Sequence, residues 1–362
     1  MKFDRVWNFN PGPAALPLEV LERIHAHWFN FMNTGMNLME WSHRGKEFDE
    51  IHNHCIGLVK KLIGLGDEYH VLFLQGGASL QFAMVPVNFL GAGKTADYIN
   101  TGSWSSKAIK EAQLFGKVNV AFDGKPLNFT RLPKQEELKL TPEAAYVHLT
   151  SNNTIKGTQF HNFPDTQGVP IVADMSSDIM SHRFDPKPFA IIYASAQKNL
   201  GPSGVTVVII RDDFLKLART DLTTMLLYTT HVTENSLYNT PNTFGIYVMD
   251  CVLRWLDERG GLAWIEDQNR QKAELLYGFM DESLDYYRGT VEKASRSWMN
   301  VCLRMPNEDL EAKFIKESKA AGFIGLKGHR SVGGIRVSMY NAVPPQAIEE
   351  LVAFMKGFKA KN

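Results

Sequence analysis

Seven apolar runs constrain this chain more than any other feature. They are "YHVLFL", "ADYIN", "VNVAF", "AYVHLT", "PIVAD", "AIIYAS" and "VTVVII", all lying between positions 69 and 210. Each is continuous rather than alternating, so both faces of the strand must be covered. Amphipathic segments separate several of them, Leu80 to Phe89 after the first and Ser105 to Phe115 after the second. That order predicts an α/β fold, a mainly parallel seven-stranded sheet flanked by helices. From about Thr243 the pattern changes to two long helices, "FGIYVMDCVLRWLDERGG" and "GLAWIEDQNRQKAELLYGFMDES", with Gly260 and Gly261 as a stop between them. "WMNVCLRM", "EDLEAKFIKESKAAG", "GGIRVSMY" and a last helix from Pro344 then read as a small α+β unit in βαβα order. We expect a large domain over 16–260 and a small domain built from 1–15 and 261–362.

Ligands of open parallel sheets bind beyond the carboxyl ends of the strands. Five strand ends run into polar or small residues: Gln75 to Ser79, Thr101 to Trp104, Thr150 to Thr154, Asp174 to Ser177, and Ser195 to Lys198. Lys198 is the most informative. A lysine past a strand end usually snorkels to solvent. One held against a low-dielectric pocket instead loses its proton more readily and becomes a nucleophile toward carbonyls. Asp174, directly after "PIVA", would lie deep and need a partner. A neighbouring serine or amide would serve, and so would the pyridinium nitrogen of pyridoxal phosphate. The turn Gly77-Ala78-Ser79 opens a helix whose free amides suit a phosphate, or it is simply a tight connection. Trp104 suits stacking on a flat ring, although buried tryptophans more often just fill cores.

Together, "SAQKNLGPSG", "VADMSSD", "QGGASLQFAMVPVN", "TGSWSSKA" and "NTPNTF" resemble the phosphoserine aminotransferase family. That family sits among the class V, fold-type I enzymes dependent on pyridoxal phosphate. The likeness runs from "FNPGPAALP" to "GGIRVSMYNA", almost the whole chain. It implies that Lys198 bonds the cofactor aldehyde, Asp174 pairs with the pyridine nitrogen, Trp104 stacks on the ring and Thr154 contacts the ring oxygen. Ala78, Ser79 and Gln197 would bind the cofactor phosphate, joined by Asn239 and Thr240 from a partner subunit of a homodimer. Arg336 would hold the substrate α-carboxylate. His43 and Arg44 of the neighbouring chain, with His329 and Arg330, would hold a distal phosphate or γ-carboxylate, a task suited to arginine's planar, permanently charged fork. Some members of that family carry an arginine where this chain has Ser79, which removes one distal cation. The implied reaction moves an amino group between L-glutamate and 3-phosphohydroxypyruvate, in serine and in some bacteria pyridoxine biosynthesis.

A net charge of zero gives no electrostatic case for nucleic acid or an anionic membrane surface. Three scattered cysteines suggest neither a disulfide framework nor a zinc site, and the N-terminal stretch lacks a signal-like apolar core. We expect a cytoplasmic protein with no metal. "GAGKT" mimics the end of a P-loop but follows a helix and has Asn88 where the pattern needs glycine. His52 and His54 read as surface imidazoles on an amphipathic helix, beside a core Cys55.

Overall fold

In the computed structural model, which describes residues 5–362, the seven runs form one sheet. Its strands are β1 (Tyr69–Leu74), β2 (Thr95–Asn100), β3 (Lys117–Asp123), β4 (Val147–Thr150), β5 (Ile171–Asp174), β6 (Phe189–Ser195) and β7 (Thr206–Arg211). They lie in the order β1-β7-β6-β5-β4-β2-β3. Every neighbouring pair is parallel except those made by β7, which runs antiparallel to both β1 and β6. The short link from Ser195 to Thr206 leaves no room for the crossover helix that a parallel return needs. All residues of β4, β5 and β6 are buried, as continuous apolar runs require. Each Val or Ile so covered contributes about 1.5–3 kcal/mol relative to exposure.

The helices α1 (Leu18–Ala26), α2 (Lys46–Ile63), α3 (Gly77–Phe89), α4 (Ser103–Ala112) and α5 (Thr243–Asp257) supply those covering layers. On α2, Phe48, Ile51, Cys55, Leu58 and Val59 repeat at helical spacing and are buried. His52 shares that face: it is fully buried, with Nε2 2.9 Å from the Asn235 carbonyl, so the surface position expected for it does not hold. The pattern of α2 alone leaves His52 at the edge of its apolar stripe, and the segment around Asn235 covers it. Helix α3 begins at Gly77 rather than Leu80, because Gly76 takes the left-handed conformation (φ +85) and turns the chain straight out of the strand. Helix α4 ends at Ala112 rather than Phe115; the Leu114 and Phe115 amides bond carbonyls three residues back and tighten the last turn.

Beyond α6 (Gly261–Asp281), β8 (Asn300–Arg304) and β9 (Ile335–Ser338) pair antiparallel, with Arg288–Gly289 on the outer side of β8. Helices α7 (Glu308–Ala320) and α8 (Pro345–Lys361) complete this layer in the expected βαβα order. Phe9, Val301, Phe323, Leu351 and Met355 share one apolar cluster, separate from the two that pack on the faces of the large sheet. A short parallel pairing of Trp7–Asn8 with Phe323–Ile324 joins the N-terminal segment to it. The segment after β9 is pinned from within. Lys272 on α6 is buried and donates to the carbonyls of Met339, Tyr340 and Val343 at 2.9–3.0 Å. Among the described residues no helix is long and apolar enough to cross a membrane.

Candidate active site

The carboxyl ends of β4, β5 and β6 open into a cleft of ≈ 280 Å³, bounded on its other sides by the N-termini of α3 and α4. Asp174 is the last residue of β5 and is 4% exposed. The Ser176 amide donates to its Oδ1 at 3.0 Å, and among the described residues no lysine, arginine or histidine forms an ion pair with it. Burial raises its pKa, while Ser176 and the charge of Lys198 pull it back. A deep carboxylate short of a cation is a receptor for one.

Lys198 follows β6 by three positions, and its Nζ donates to Thr154 Oγ1 at 2.8 Å. Burial lowers its pKa to about 8, and Arg336 acts in the same direction against Asp174 and Asp178. The amine is therefore a usable nucleophile near neutral pH. The same Nζ stands 6.0 Å from the centre of the Trp104 ring, whose Nε1 is buried without a partner. At the far end, the first turn of α3 contributes Gly77, Ala78 and Ser79 to the cleft. The Ala78 amide donates to Ser195 Oγ at 2.8 Å, which ties this turn to the end of β6.

Arg336 reaches the cleft from β9. It is 6% exposed, its Nη1 donates to the Thr154 carbonyl at 3.2 Å, and its Nε has no partner. Burial lowers its pKa, and no carboxylate pairs with it among the described residues. A polar ladder places it there. Asn152 donates to Ser177 and to Asn300 on β8, and Asn300 donates to Ser338 and Tyr340 at the end of β9. Tyr340 then donates to the Pro11 carbonyl, binding the N-terminal segment to the same network.

Of the residues expected from sequence, Gly77, Ala78, Ser79, Trp104, Thr154, Asp174, Gln197, Lys198, His329 and Arg336 line this one cleft. His43, Arg44, Asn239, Thr240 and Arg330 do not line it within a single chain. His43 and Arg44 lie in the turn before α2, while the Asn239 amide donates to Gln75 Oε1 at 3.3 Å beside the α3 turn. Sequence reasoning missed Gly12, although "NPGP" carried a signal. Its φ is +132, and a Cβ there would meet the Gln197 and Lys198 side chains at 3.4 Å. It also missed Asp178, a fully enclosed carboxylate beneath the site. Asp178 accepts from Ser151 and, at 3.3 Å, from Gln159.

A flat heterocycle with an aldehyde, a ring N–H and a phosphate meets a matching group at each side of this cleft. Lys198 stands for the aldehyde, unpaired Asp174 for the ring nitrogen, Trp104 for the face and the α3 turn for the phosphate. The residues present therefore fit pyridoxal phosphate.

The fold is that of the class V aminotransferases, whose family profile, described as Aminotransferase class-V, matches residues 6–351. Along its whole length the chain is similar to "Phosphoserine aminotransferase" of Desulfosudis oleivorans, 57% identical over 99% of both chains. A solved phosphoserine aminotransferase from Bacillus circulans subsp. alkalophilus is 54% identical, covers 99% of each chain and superposes with a TM-score of 0.97. A pyridoxal-phosphate-bound phosphoserine aminotransferase from Trichomonas vaginalis is 38% identical with a TM-score of 0.92, over 97% of this chain and 100% of that one. The chain belongs to the phosphoserine aminotransferase family.

Proposed function

We propose that this chain catalyses amino-group transfer between L-glutamate and 3-phosphohydroxypyruvate, giving 2-oxoglutarate and O-phospho-L-serine, with pyridoxal phosphate as cofactor. The observation that carries this reading is one cleft holding a softened amine (Lys198), a buried unpaired carboxylate (Asp174) and a buried unpaired guanidinium (Arg336). When bound, the cofactor supplies the carbonyl that accepts the amino group and the ring that delocalises negative charge from the substrate α-carbon. Asp174 would hold the ring N–H and keep it protonated. Trp104 would lie against the ring and exclude water from one face. Arg336 takes the α-carboxylate in a charge-assisted, forked contact, which sets the α-carbon near Lys198. The neutral amine of Lys198 would take the proton from the substrate α-carbon and deliver it across the transferred nitrogen to the former aldehyde carbon, a task suited to a base with a pKa of about 8. His329 and Arg330 receive the distal γ-carboxylate or phosphate.

The reading includes a homodimer in which a second copy contributes His43 and Arg44 to the distal site, and Asn239 and Thr240 to the cofactor phosphate. In support, the segment just before His43 exposes Phe29 (85%), Met32 (53%) and Met39 (54%), and Tyr238 is 45% exposed beside Asn239. Large apolar side chains clustered around cationic loops mark an association surface. We assign residues 16–260 to a large domain and 1–15 with 261–362 to a small one, and place the protein in the cytoplasm, with serine and pyridoxine synthesis as its setting. A desulfurase would need a cysteine on an accessible loop, whereas Cys55, Cys251 and Cys302 are all buried.

The test is borohydride reduction of the holoenzyme followed by peptide mapping, beside an assay of 3-phosphohydroxypyruvate, oxaloacetate and glyoxylate with glutamate as donor. We expect the cofactor mass on the Lys198 peptide, preference for the phosphorylated acceptor, and no turnover by a folded Lys198→Ala variant. An unmodified Lys198 peptide, or equal use of the three acceptors, would overturn the assignment.

A further inference from the structure

Lys107 lies one turn beyond Trp104 on α4, at the spacing that puts two side chains on one helix face. The residue is exposed, yet its ammonium lies over the indole, 4.5 Å from the ring centre. The same ring faces the Lys198 amine and lines the cleft. Glu111, four residues along the helix, offers a ready ion pair, yet among the described residues no carboxylate pairs with Lys107.

Although the chain has as many acidic as basic residues, Lys107, Arg330 and Arg336 all lack carboxylate partners. His329 records how close they stand. Its pKa is lowered first by burial, and then by the charges of Arg336, Arg330 and Lys107 together. Three like charges acting on one imidazole also repel each other, at an energetic cost. One α-carboxylate at Arg336 relieves only part of that repulsion, whereas a dianion at the outer end relieves the rest.

We propose that Lys107 is a specificity-determining contact for the distal phosphate of the substrate, contributed by the same chain as Lys198. The inference rests on the phosphoserine reading above and adds a residue to it. Lys107 supplies a compact, mobile charge just outside the cleft lining, and the Trp104 indole beneath it holds that charge beside the cleft. A singly charged γ-carboxylate gains less from it than a phosphate dianion does.

The decisive comparison uses the Lys107→Met and Lys107→Arg holoenzymes, with 3-phosphohydroxypyruvate and hydroxypyruvate as acceptors and glutamate as donor. For Lys107→Met we expect the ratio of kcat/KM between the two acceptors to fall roughly tenfold, mainly through KM for the phosphorylated one, with Lys107→Arg restoring most of it. Equal losses on both acceptors would mean that Lys107 acts only by steadying Trp104, and would overturn the proposal. No loss on either would do the same. Binding of O-phospho-L-serine against L-serine, followed by the cofactor's absorbance, separates this from failure of the parent reading. An unsubstituted enzyme that binds O-phosphoserine but does not aminate 3-phosphohydroxypyruvate removes the assigned reaction, and Lys107 is then judged on binding preference alone. Failure to bind either ligand overturns both.

Discussion

Asp178 lies beneath Asp174 and Lys198, 2% exposed, and burial raises its pKa to about 7. Its charge and that of Asp174 favour the ammonium form of Lys198, against the larger effect of burial. Replacing Asp178 by Asn removes one of those negative charges and leaves burial unchanged, so the Lys198 pKa must fall below about 8. Because only the neutral amine attacks an aldehyde, the rate at which apoenzyme captures pyridoxal phosphate rises with pH through that pKa. We therefore expect the midpoint of this pH–rate profile to shift to lower pH in Asp178→Asn. A midpoint that stays put would mean the lower carboxylate does not act on the amine. Lys198 and Asp174 are legible in the sequence because Asp174 ends one apolar strand and Lys198 comes three residues after another, where ligands of such sheets bind. Asp178 is not legible. All four side chains of "MSSD" are buried, and nothing in the sequence tells which of them turns back under the strand.

At the scale of elements, the strand-to-helix turn from β1 into α3 does most to shape the phosphate end of the site. Gly76 adopts φ +85 there, and a Cβ would come within 2.6 Å of the Leu80 side chain. Gly76→Ala should cost more than about 1–2 kcal/mol from backbone strain alone, before the clash is counted. We expect a lowered Tm for the apoenzyme together with weaker pyridoxal phosphate affinity. Loss of stability with cofactor affinity intact would show that the turn supports the fold and not the phosphate. The strands themselves are readable almost to the residue, since burial on both faces leaves an unbroken apolar signature; the edge strand β3, where Val120 is exposed, is the exception to the covering expected of all seven. Helix ends are less so: the start of α3 depends on a glycine conformation and the end of α4 on a tightened turn. The two-residue pairings Trp7–Asn8 with Phe323–Ile324, and Arg288–Gly289 with β8, are too short to carry any periodicity.

On the scale of the whole molecule, the proposed active site spans two chains. Arg44→Ala and Lys198→Ala homodimers should each be inactive, since each removes one half of every site. Unfolding and refolding them together at equal amounts should restore roughly a quarter of the parent activity, the share of sites that regain both halves under random pairing. No recovery, with heterodimers present by native mass spectrometry, would place Arg44 in the same chain's site or in none. Contacts of this reach are the least legible of all. Arg336 and Thr154 lie 182 positions apart, and no local pattern links them. Their meeting has a stereochemical outcome. Thr154 accepts the Lys198 amine on its hydroxyl and the Arg336 guanidinium on its carbonyl, so a single peptide unit fixes both relative to one another. In the proposed reading, an amino acid gripped at its carboxylate and at its far end is approached by the base from one side only, so mirror-image substrates present the wrong bond and are left untouched.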